Sequence, residues 1–426
     1  MSVFANIVRP FSYAFMGLVV VSLIVYIKPA INHEGVFYPV LVLYTLFVSF
    51  FTLSRLLSAF FYKRALRSSV PTDISFEPII TFCIPCKNEE DGIFATIDRC
   101  FAVEYPKEKV EVIVINDGST DGTMNEIRRA EKKYDGLRVI DWSVNRGKKH
   151  AMAAAVLLAR GSVLVQIDSD SFVTPGTFRH LVMPFANERI GAVCAHADPE
   201  NAGKNLLTKM QAAYYFMSFR ILKAGESSFS SVFCCSGCCS AYRMSVLKEV
   251  INEWLEERFL GVPTMLGEDR ALTSAVLKAG YETIYSDDVQ SYTICPETFQ
   301  KFFKQQLRWK KSWITNSLIM GRYIYRTHPF VAYTYFYPLV VTSFLTPFFT
   351  VAAILYIPIV RGTLPFNFIA GILLMTSLFV LMYRYVRREN KYWPYLFLWT
   401  LFNVFAVNFL FFVALVRFRD QGWGTR

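Results

Sequence analysis

Long apolar runs lie at both ends of the chain, and a region of ordinary polarity separates them. Two runs come first, at residues 11–26 and 36–62, and three come last, at 330–360, 366–385 and 393–416. A helix of about 20 apolar residues is long enough to cross a bilayer. The pattern therefore predicts membrane helices on either side of one globular domain, which is large enough to bury its own core.

The charges beside the first two runs predict their orientation. Only Arg9 precedes the run at 11–26 and no small-residue cleavage site follows it, so we interpret this run as a retained helix and not a cleaved signal peptide. The run at 36–62 ends in Lys63 and Arg64. Because basic residues favour the cytoplasmic side of a membrane, the following domain and the amino terminus are predicted to be cytoplasmic.

The last run raises a question of topology. Basic residues occur in the loop 384–391 before it and in the tail 417–426 after it, which predicts that both lie in the cytoplasm. A single crossing by 393–416 would put them on opposite sides. We therefore expect four spans, with 393–416 re-entrant or interfacial and packed against protein, where irregular backbone is tolerated.

Short strand-like runs alternate with helical stretches in the middle of the chain. The strand-like runs are 79–85, 110–115, 138–140 and 163–168, and the helical stretches include 124–134 and 149–160. This alternation predicts βαβ units and a parallel, Rossmann-like sheet of the α/β class. Ligands of such sheets bind at the carboxyl ends of the strands. Here those ends carry PCKNEE, NDGSTDGT and DSDS.

Composition excludes several other classes of protein. The net charge is +11, but the basic residues adjoin the apolar runs and form no stripe in the middle region, which favours membrane flanks over a nucleic-acid surface. None of the five histidines has metal-ligand spacing to another histidine or to a cysteine pair, so a zinc hydrolase is not expected. Neither GxGxxG nor GxxxxGK[ST] occurs, which argues against a dehydrogenase or a P-loop ATPase.

Acidic and basic side chains at the strand ends are candidates for a nucleotide and metal site. Asp168 and Asp170 follow a buried-looking strand, and two such carboxylates suit Mg²⁺ or Mn²⁺, although turn-forming aspartates would give the same pattern. Asp117 ends the preceding strand in a turn-like sequence and is a candidate for contacting a nucleotide. Lys148 and Lys149 precede a helix, beside which a diphosphate would be stabilised.

Two later motifs have a functional and a structural interpretation. Glu268 and Asp269 begin an apolar helical segment, where acidic residues complement the helix dipole or, for Asp269, serve as a general base. Gln305, Arg308 and Trp309 lie on an amphipathic helix before the last apolar runs. Arg suits a leaving diphosphate and Trp a sugar face, while the same residues anchor a helix at an interface. Both interpretations hold together.

A cluster of cysteines occurs in FCCSGCC, residues 233–239, and CIPC occurs at 83–86. Together they resemble a zinc or disulfide pattern. The pairs are far apart in sequence, and a cytosolic domain argues against disulfides. We favour a packing role, in which small thiols flank Gly237 and the glycine allows the backbone to approach a ligand.

The order of these motifs resembles that of the processive family 2 glycosyltransferases. The series is IPCKNEE, NDGS, DSD, SGxxxxYR, GEDR, QQLRW and a terminal WGTR, and the similarity covers about residues 36–426. It looks closest to hyaluronan synthases, with chitin-oligosaccharide and single-chain capsular polysaccharide synthases as near relatives. Two positions depart from the pattern: Asn116 stands where many relatives have aspartate, and Cys238 stands where hyaluronan synthases have proline. The second departure weakens hyaluronan as the specific product.

The resemblance implies a role for each matching residue. Asp269 would be the catalytic base, with Glu268 and Arg308 beside it in the catalytic group. Asp170 would ligate Mg²⁺ or Mn²⁺. The residues implied to bind the UDP-sugar are Pro85, Asp117, Lys148, Asp168, Gln305, Arg308, Trp423, Thr425 and Arg426. The residues implied to bind the acceptor sugar are Trp309, Cys235, Ser236 and Gly237.

The resemblance also implies an architecture. A GT-A domain at residues 75–298 would lie between a helix pair at 1–65 and an interfacial helix at 299–325, followed by channel-forming helices at 328–418 and a gating tail at 419–426. The protein would act as a monomer in the plasma membrane, with its catalytic domain in the cytoplasm. It would polymerise UDP-GlcNAc, with UDP-GlcUA, by inversion and secrete the polysaccharide. The alternatives are a β-GlcNAc homopolymer or oligomer synthase and a non-catalytic transporter or sugar-binding protein; no nucleic-acid partner is expected.

Overall fold

The computed structural model describes residues 38–66, 70, 75–362 and 364–420. The apolar run predicted at 11–26 and the tail residues from 421 onward lie outside these ranges. Most of the run predicted at 36–62 forms one helix that continues to Leu66.

Ten strands form one large sheet and one small hairpin. They are β1 Ile80–Cys86, β2 Val110–Asp117, β3 Leu137–Trp142, β4 Val163–Gln166, β5 Ser171–Val173, β6 Ile190–Pro199, β7 Ser240–Arg243, β8 Arg258–Phe259, β9 Val262–Pro263 and β10 Glu282–Thr293. The large sheet has the order β3-β2-β1-β4-β7-β6-β10-β5, and β8 pairs with β9.

The α-helices flank this sheet and continue into the carboxyl-terminal part of the chain. They are α1 Tyr38–Leu66, α2 Ile93–Phe101, α3 Thr123–Glu131, α4 Lys148–Leu158, α5 Arg179–Val182, α6 Leu206–Phe216, α7 Ala224–Ser227, α8 Met244–Glu256, α9 Glu268–Lys278, α10 Phe299–Met320, α11 Ile324–Thr327, α12 Pro329–Val331, α13 Tyr337–Val351, α14 Ile357–Arg361, α15 Phe366–Val386, α16 Tyr395–Phe405 and α17 Leu410–Val416. A π-helical segment, Met217–Lys223, joins α6 to α7.

The prediction of a parallel sheet is correct for the first four strands and wrong for two later ones. Strands β1, β2, β3 and β4 run parallel, as does the pair β6 and β10. Strand β7 is antiparallel to both β4 and β6, and β5 is antiparallel to β10. The reason is connectivity: no βα crossover returns the chain to these strands in the common direction, because β7 follows directly from the cysteine-rich segment.

The strands of the first half form the core because both faces of the sheet are covered. All seven residues of β1 are buried, as are seven of the eight in β2. Continuous apolar runs of this kind are typical of parallel strands with helices on both sides. Helix α2 covers one face with Ile93, Ile97 and Cys100, which the spacing of 3.6 residues per turn puts on one side of the helix. The rigid sheet holds the strand ends in fixed positions.

Three helical segments are long and apolar enough to cross a membrane within the described ranges. They are Leu46–Leu66, Pro329–Val360 and Phe368–Val386. The segments Tyr395–Phe405 and Val407–Val416 pass the same test only as a pair, and a bend of 40° separates them. This break is the geometry expected of a re-entrant or interfacial segment, but a broken span would have it too, so the prediction for 393–416 stays a prediction.

A set of paired charges attaches the sheet domain to the end of helix α1. This docking cluster consists of Lys63, Arg220 and Asp287: Asp287 lies 2.8 Å from the Lys63 Nζ and 3.0 Å from the Arg220 Nε. The register of β10 shifts between Ser286 and Gln290, and this irregularity contains Asp287. Bulges of this kind redirect side chains. Here the bulge aims a carboxylate at the end of a candidate membrane helix.

Candidate active site

The carboxyl ends of β1, β2 and β4 meet at one edge of the sheet, as the sequence predicts. Pro85 lies buried in β1, and Asp117 ends β2. Asp117 accepts hydrogen bonds from the backbone N–H groups of Arg146 and Gly147, at 2.6 and 2.9 Å. The carboxylate therefore fixes the turn that precedes helix α4. Its predicted contact with a nucleotide would use the lone pairs of the carboxylate oxygens that these two hydrogen bonds do not occupy.

Lys148 links two of the predicted motifs. Its Nζ lies 2.5 Å from an Asp168 oxygen and 2.7 Å from a Glu268 oxygen. Burial alone would lower the pKa of Lys148, but the two carboxylates raise it, so the side chain is held as an ammonium. Asp168 and Glu268 are 100 residues apart in sequence, and this one cation brings the DSD and GEDR motifs together.

Asp170 lies beside Asp168 in an environment of oxygen atoms. The Ser171 hydroxyl donates to Asp170 at 3.1 Å, and the Thr293 hydroxyl donates to it at 3.5 Å. Burial and the like charge of Asp168 raise the pKa of Asp170 to about 6. A carboxyl group in this state gains most from a cation, and oxygen ligands are those that Mg²⁺ and Mn²⁺ prefer. The residues present therefore fit a divalent cation.

The segment 234–237 lies between the two acidic motifs and contacts both. The backbone N–H of Asp168 donates to the Gly237 carbonyl at 2.9 Å, and a Cβ on Gly237 would lie 2.7 Å from an Asp168 oxygen. At the other end, the Cys234 thiol donates to Asp269 at 3.6 Å. A side chain at position 237 would collide with the Asp168 carboxylate, so glycine is required there. The sequence alone did not predict this reason.

Asp269 has the electrostatics of a general base. Burial raises its pKa above the usual aspartate value, and the neighbouring Glu268 adds a like charge. Its Oδ1 accepts from the backbone N–H of Arg270 at 2.7 Å. For Glu268 itself, burial opposes ionisation, but Lys148 holds its pKa below the usual value. The two adjacent carboxyls thus differ in electrostatics: Lys148 pairs with Glu268 and lowers its pKa, while the pKa of Asp269 is raised.

Glycine at the start of α9 allows this helix to pack closely against α10. Gly267 has a φ of 71°, in the left-handed region that favours glycine. A Cβ at this position would lie 1.7 Å from the Ser312 Oγ. The start of α9, which carries Glu268 and Asp269, is therefore held directly against the helix that carries QQLRW.

Helix α10 places its predicted residues beside the acidic motifs. Arg308 is close enough to Glu268 that its charge lowers the pKa of that carboxyl. Trp309 is partly buried against the main core. The Gln305 Oε1 is buried and makes no hydrogen bond with any residue in the described ranges. The structure thus brings Arg308 near Glu268 of the GEDR motif, while the ligand contacts proposed for all three residues remain predictions.

The predicted tail residues Trp423, Thr425 and Arg426 lie outside the described residues. The last described residue, Asp420, is held by Lys311 of α10, whose Nζ donates to its backbone carbonyl at 2.6 Å. Asp420 is therefore held at a point on α10 that lies two residues after Trp309.

The buried side chain of Lys223 lies under the cysteine segment and was not predicted from the sequence. Lys223 Nζ donates to the Cys234 carbonyl at 2.6 Å and lies 3.4 Å from the Cys194 sulfur. Burial opposes ionisation of Cys194, but Cys235 and Lys223 lower the pKa of its thiol well below the usual value. Cys235 is fully buried, and its backbone N–H donates to the Thr273 hydroxyl at 2.8 Å. The π-helical geometry of Met217–Lys223, which has no simple sequence signal, positions this lysine.

All nine cysteines lie in described residues, and each is a free thiol. Cys83 and Cys86 are buried in β1, while Cys234 and Cys235 belong to the segment under the acidic motifs. This arrangement agrees with the packing interpretation of FCCSGCC. Ser236 approaches the Cys194 sulfur at 3.8 Å and is half-buried, so part of this segment faces open space.

Comparison with known proteins gives this site a context. Residues 81–251 match the family model described as Glycosyl transferase family 2. An N-acetylglucosaminyltransferase of Rhizobium meliloti (strain 1021) is 30% identical over 258 residues, which are 60% of this chain and 60% of that protein. A hyaluronan synthase of Streptococcus pyogenes is 31% identical over 255 residues, 58% of this chain and 60% of that protein. The alignments thus span less than two thirds of these relatives.

Among solved structures, a mannosyltransferase of Pyrobaculum calidifontis, PcManGT, determined in complex with GDP-Man and Mn²⁺, superposes with a TM-score of 0.59. The superposition covers 85% of this chain and 98% of that one at 22% identity, a level that speaks to the fold alone. The residues that match the family model, 81–251, include β1 from its second residue onward, β2, β4 and the DSD motif. The predicted α/β class and the family resemblance are confirmed: the chain carries a glycosyl transferase family 2 domain at residues 81–251, within a GT-A fold.

Proposed function

We propose that this protein is a membrane-embedded, processive glycosyltransferase that polymerises UDP-activated sugars with inversion. Its donors are UDP-GlcNAc and UDP-GlcUA, used at the cytosolic face of the plasma membrane. The similarity to an N-acetylglucosaminyltransferase and to a hyaluronan synthase supports this choice of sugars. The nucleotide is proposed from the same relatives and from the strand-end residues described above.

One observation carries the proposal. The segment 234–237 contacts Asp168 through Gly237 and Asp269 through the Cys234 thiol. The predicted donor carboxylates and the predicted base therefore lie on two sides of a single short segment. A sugar acceptor resting on this segment would have a base on one side and the donor on the other, which is the arrangement that an inverting displacement requires.

The residues of the chain divide the chemistry as follows. Asp269 takes the proton from the acceptor hydroxyl as the oxygen attacks the anomeric carbon of the donor. The bond between that carbon and the diphosphate oxygen breaks, and UDP leaves with the electron pair. Lys148 and Arg308 supply positive charge where the diphosphate would lie, since both are close to the acidic motifs. Positioned proton transfer of this kind contributes roughly 10²–10⁴ to a rate.

Mg²⁺ or Mn²⁺ would be held by Asp170 and would neutralise the charge that develops on the leaving diphosphate. No group of three or more His, Cys, Asp or Glu side chains in the described ranges forms a metal cage. Asp170, beside Asp168 and the hydroxyls of Ser171 and Thr293, is the residue that would hold the cation, and the cation would supply positive charge next to the leaving diphosphate.

The candidate membrane helices are proposed to carry the product. We place the segments Leu46–Leu66, Pro329–Val360 and Phe368–Val386 across the plasma membrane, with the catalytic domain in the cytoplasm and the polysaccharide leaving between the helices of one monomer. The domain and one of these helices are in direct contact, since the Phe216 ring of α6 stacks on the Tyr383 ring of α15 at 3.6 Å.

The function is tested with the purified full-length protein in lipid nanodiscs with Mg²⁺ or Mn²⁺. UDP release and polymer size are measured with UDP-GlcNAc alone, UDP-GlcUA alone and both donors. Polymer that requires both supports an alternating chain, and polymer from UDP-GlcNAc alone would favour the alternative, a β-GlcNAc homopolymer or oligomer synthase. Release of UDP from neither donor would overturn the proposal in favour of a non-catalytic membrane protein.

A further inference from the structure

The thiol of Cys234 lies against the side-chain carboxylate of Asp269. Its Sγ donates a hydrogen bond to the Asp269 Oδ2 at 3.6 Å. The other oxygen, Oδ1, accepts from the backbone N–H of Arg270 at 2.7 Å. Each oxygen of the carboxylate therefore has a donor, and the two donors belong to different parts of the chain: the start of α9 for Oδ1 and the segment 234–237 for Oδ2.

The sulfur of Cys234 is in the form that donates. Burial and the negative charge of Asp269 raise the pKa of Cys234 to about 12, so the thiol keeps its proton at neutral pH. A thiol is a weak donor, and a hydrogen bond to an ionised carboxyl lowers the pKa of that carboxyl. A weak donor lowers it least. Asp269 is thus held by a hydrogen bond and still has a pKa above the usual aspartate value.

The orientation of the Asp269 carboxylate matters because such a group turns easily. The last torsion of an aspartate side chain is broad, so a hydrogen bond to Oδ1 alone does not fix the position of Oδ2. A general base must lie within hydrogen-bond reach of the proton that it takes. Cys234 and Asp269 are both only half-buried, so the lone pairs that remain on Oδ2 can be reached by an acceptor hydroxyl.

Two buried charged side chains hold the backbone at Cys234. The Lys223 Nζ donates to the Cys234 carbonyl at 2.6 Å, and the Glu226 Oε2 accepts from the N–H of Phe233 at 3.2 Å. Lys223 is 8% exposed and Glu226 is 9% exposed. The thiol therefore cannot withdraw from Asp269 unless a buried hydrogen bond breaks, which is costly.

Thr273 joins the same stretch of backbone to the helix that carries Asp269. Its hydroxyl accepts from the N–H of Cys235 at 2.8 Å and donates to the backbone carbonyl of Asp269 at 2.7 Å. Thr273 is fully buried, so no water competes for these bonds. The separation of the Cys234 sulfur from the carboxylate is thus fixed from both sides.

We infer that Cys234 is a positioning residue, whose thiol orients the Asp269 carboxylate for proton transfer. The inference rests on the proposed function, in which Asp269 is the base. Cys234 acts through Asp269 and needs no contact with the sugar. Other titratable or charged groups also face Asp269, and a substitution at position 234 leaves all of them in place. They are Glu268 and Arg270 of α9, Lys148 of α4, Tyr242 of β7 and, through Glu268, Arg308 of α10.

The inference is tested with Cys234→Ala and Cys234→Val in the full-length protein in nanodiscs, with kcat and kcat/KM for the UDP-sugars measured across pH. Both variants lack the donor, and valine also fills the space. We expect kcat to fall about fivefold or more, since a misoriented base loses part of its contribution. The acid limb of kcat/KM should move to higher pH by at least about 0.5, because the ionised carboxyl loses a hydrogen bond.

Cys100→Ala is the matched control, since it removes a buried thiol from α2, among side chains that cover the sheet. Its acid limb should coincide with that of the wild-type protein. UDP titration and thermal unfolding check that each variant is folded, and valine keeps the test open if alanine destabilises the protein.

An acid limb that stays in place in the Cys234 variants would overturn the inference even if kcat fell, because a loss of packing alone gives that result. A valine variant with the wild-type rate and pH profile would overturn it too, since space-filling would then be enough. Absence of UDP release by the wild-type protein from any UDP-sugar would instead defeat the proposed function, so the two failures are distinguishable.

Discussion

Two clusters of paired charge in this molecule use the same residue types for different ends. In the docking cluster, the Asp287 carboxylate is only 13% exposed and pairs with Arg220 and with the outer, 54% exposed Lys63, which belong to other elements of the chain. In the active-site cluster, Lys148 pairs with Asp168 and Glu268, but the side chain of Asp168 stays 30% exposed. A complete cluster fixes one element on another. An incomplete one leaves oxygen atoms for a ligand, and it is the open edge, not the burial of charge, that marks a site.

The largest effect is expected from Asp269→Asn, which leaves both clusters intact. An amide cannot take the acceptor proton, so polymer synthesis should fall by about 10³-fold or more. UDP affinity should change less than threefold, because Asp269 makes no contact with the donor residues. Rates of synthesis and UDP titration measure the two. Synthesis above a tenth of the wild-type rate would exclude Asp269 as the base.

The same residue gives the wild-type protein a characteristic pH dependence. A base works in its deprotonated form, and the pKa of Asp269 is raised by burial and by Glu268. The rate should therefore fall as the pH drops through a value above the usual aspartate pKa. A rate that stays constant on acidification until the protein unfolds would contradict this assignment.

Lys148→Met breaks the active-site cluster and should be the next most damaging change. It leaves Glu268 buried without its cation, which typically costs about 3 kcal/mol in the free energy of unfolding, and it removes positive charge from the diphosphate site. Denaturant unfolding and the KM for UDP-GlcNAc should both change. Lys148→Arg restores the charge and serves as control; if it is as unstable as the Met variant, charge is not the cause.

Asp287→Asn removes the carboxylate that pairs with Lys63 and Arg220 in the docking cluster. It tests whether that cluster has a structural role only. We expect a loss of roughly 2–3 kcal/mol in unfolding free energy, since Arg220 loses its buried partner. The KM for the donor should stay within twofold, because the cluster lies away from the strand ends. A large rise in KM with unchanged stability would show that the two clusters are not separate in function.

Gly237→Ala sharpens the boundary of the active-site cluster. The added methyl group would lie 2.7 Å from an Asp168 oxygen, so the carboxylate must move. We expect the KM for the UDP-sugar to rise about tenfold, with a smaller change in kcat and little loss of stability. Gly136→Ala provides a control, since the same methyl group there would meet only the Phe101 ring, at 3.6 Å. An unchanged KM would mean that Asp168 does not contact the donor.

The smallest effect is expected from Cys235→Ser. The backbone of Cys235 is fixed by Thr273 and by Tyr242, whose hydroxyl donates to its carbonyl at 3.2 Å, and these bonds do not need the thiol. At least half of the activity should remain. A bulky replacement such as Cys235→Phe should block synthesis, and a complete loss with serine would restore a chemical role for this thiol.

The sequence predicted the positions of the strand-end side chains better than contacts between distant segments. Asp117, Asp168 and Asp170 follow apolar strands, so their position was fixed by the alternation of strands and helices. The approach of Gly237 to Asp168 was not predictable, because it depends on β7 entering the sheet antiparallel. The contact of Gly267 with Ser312 was also not predicted, since only helix packing brings together residues that are 45 positions apart.

The contact between Gly267 and Ser312 has a mechanical consequence. No side chain fits between the start of α9 and helix α10, so the two helices have no free space in which to move closer at this point. The start of α9 and helix α10 are in direct contact, so a displacement of α10 would move Asp269 without intervening side chains. In the proposed polymerase, a shift of α10 that accompanies movement of the product would therefore also shift Asp269, through the single contact between Gly267 and Ser312.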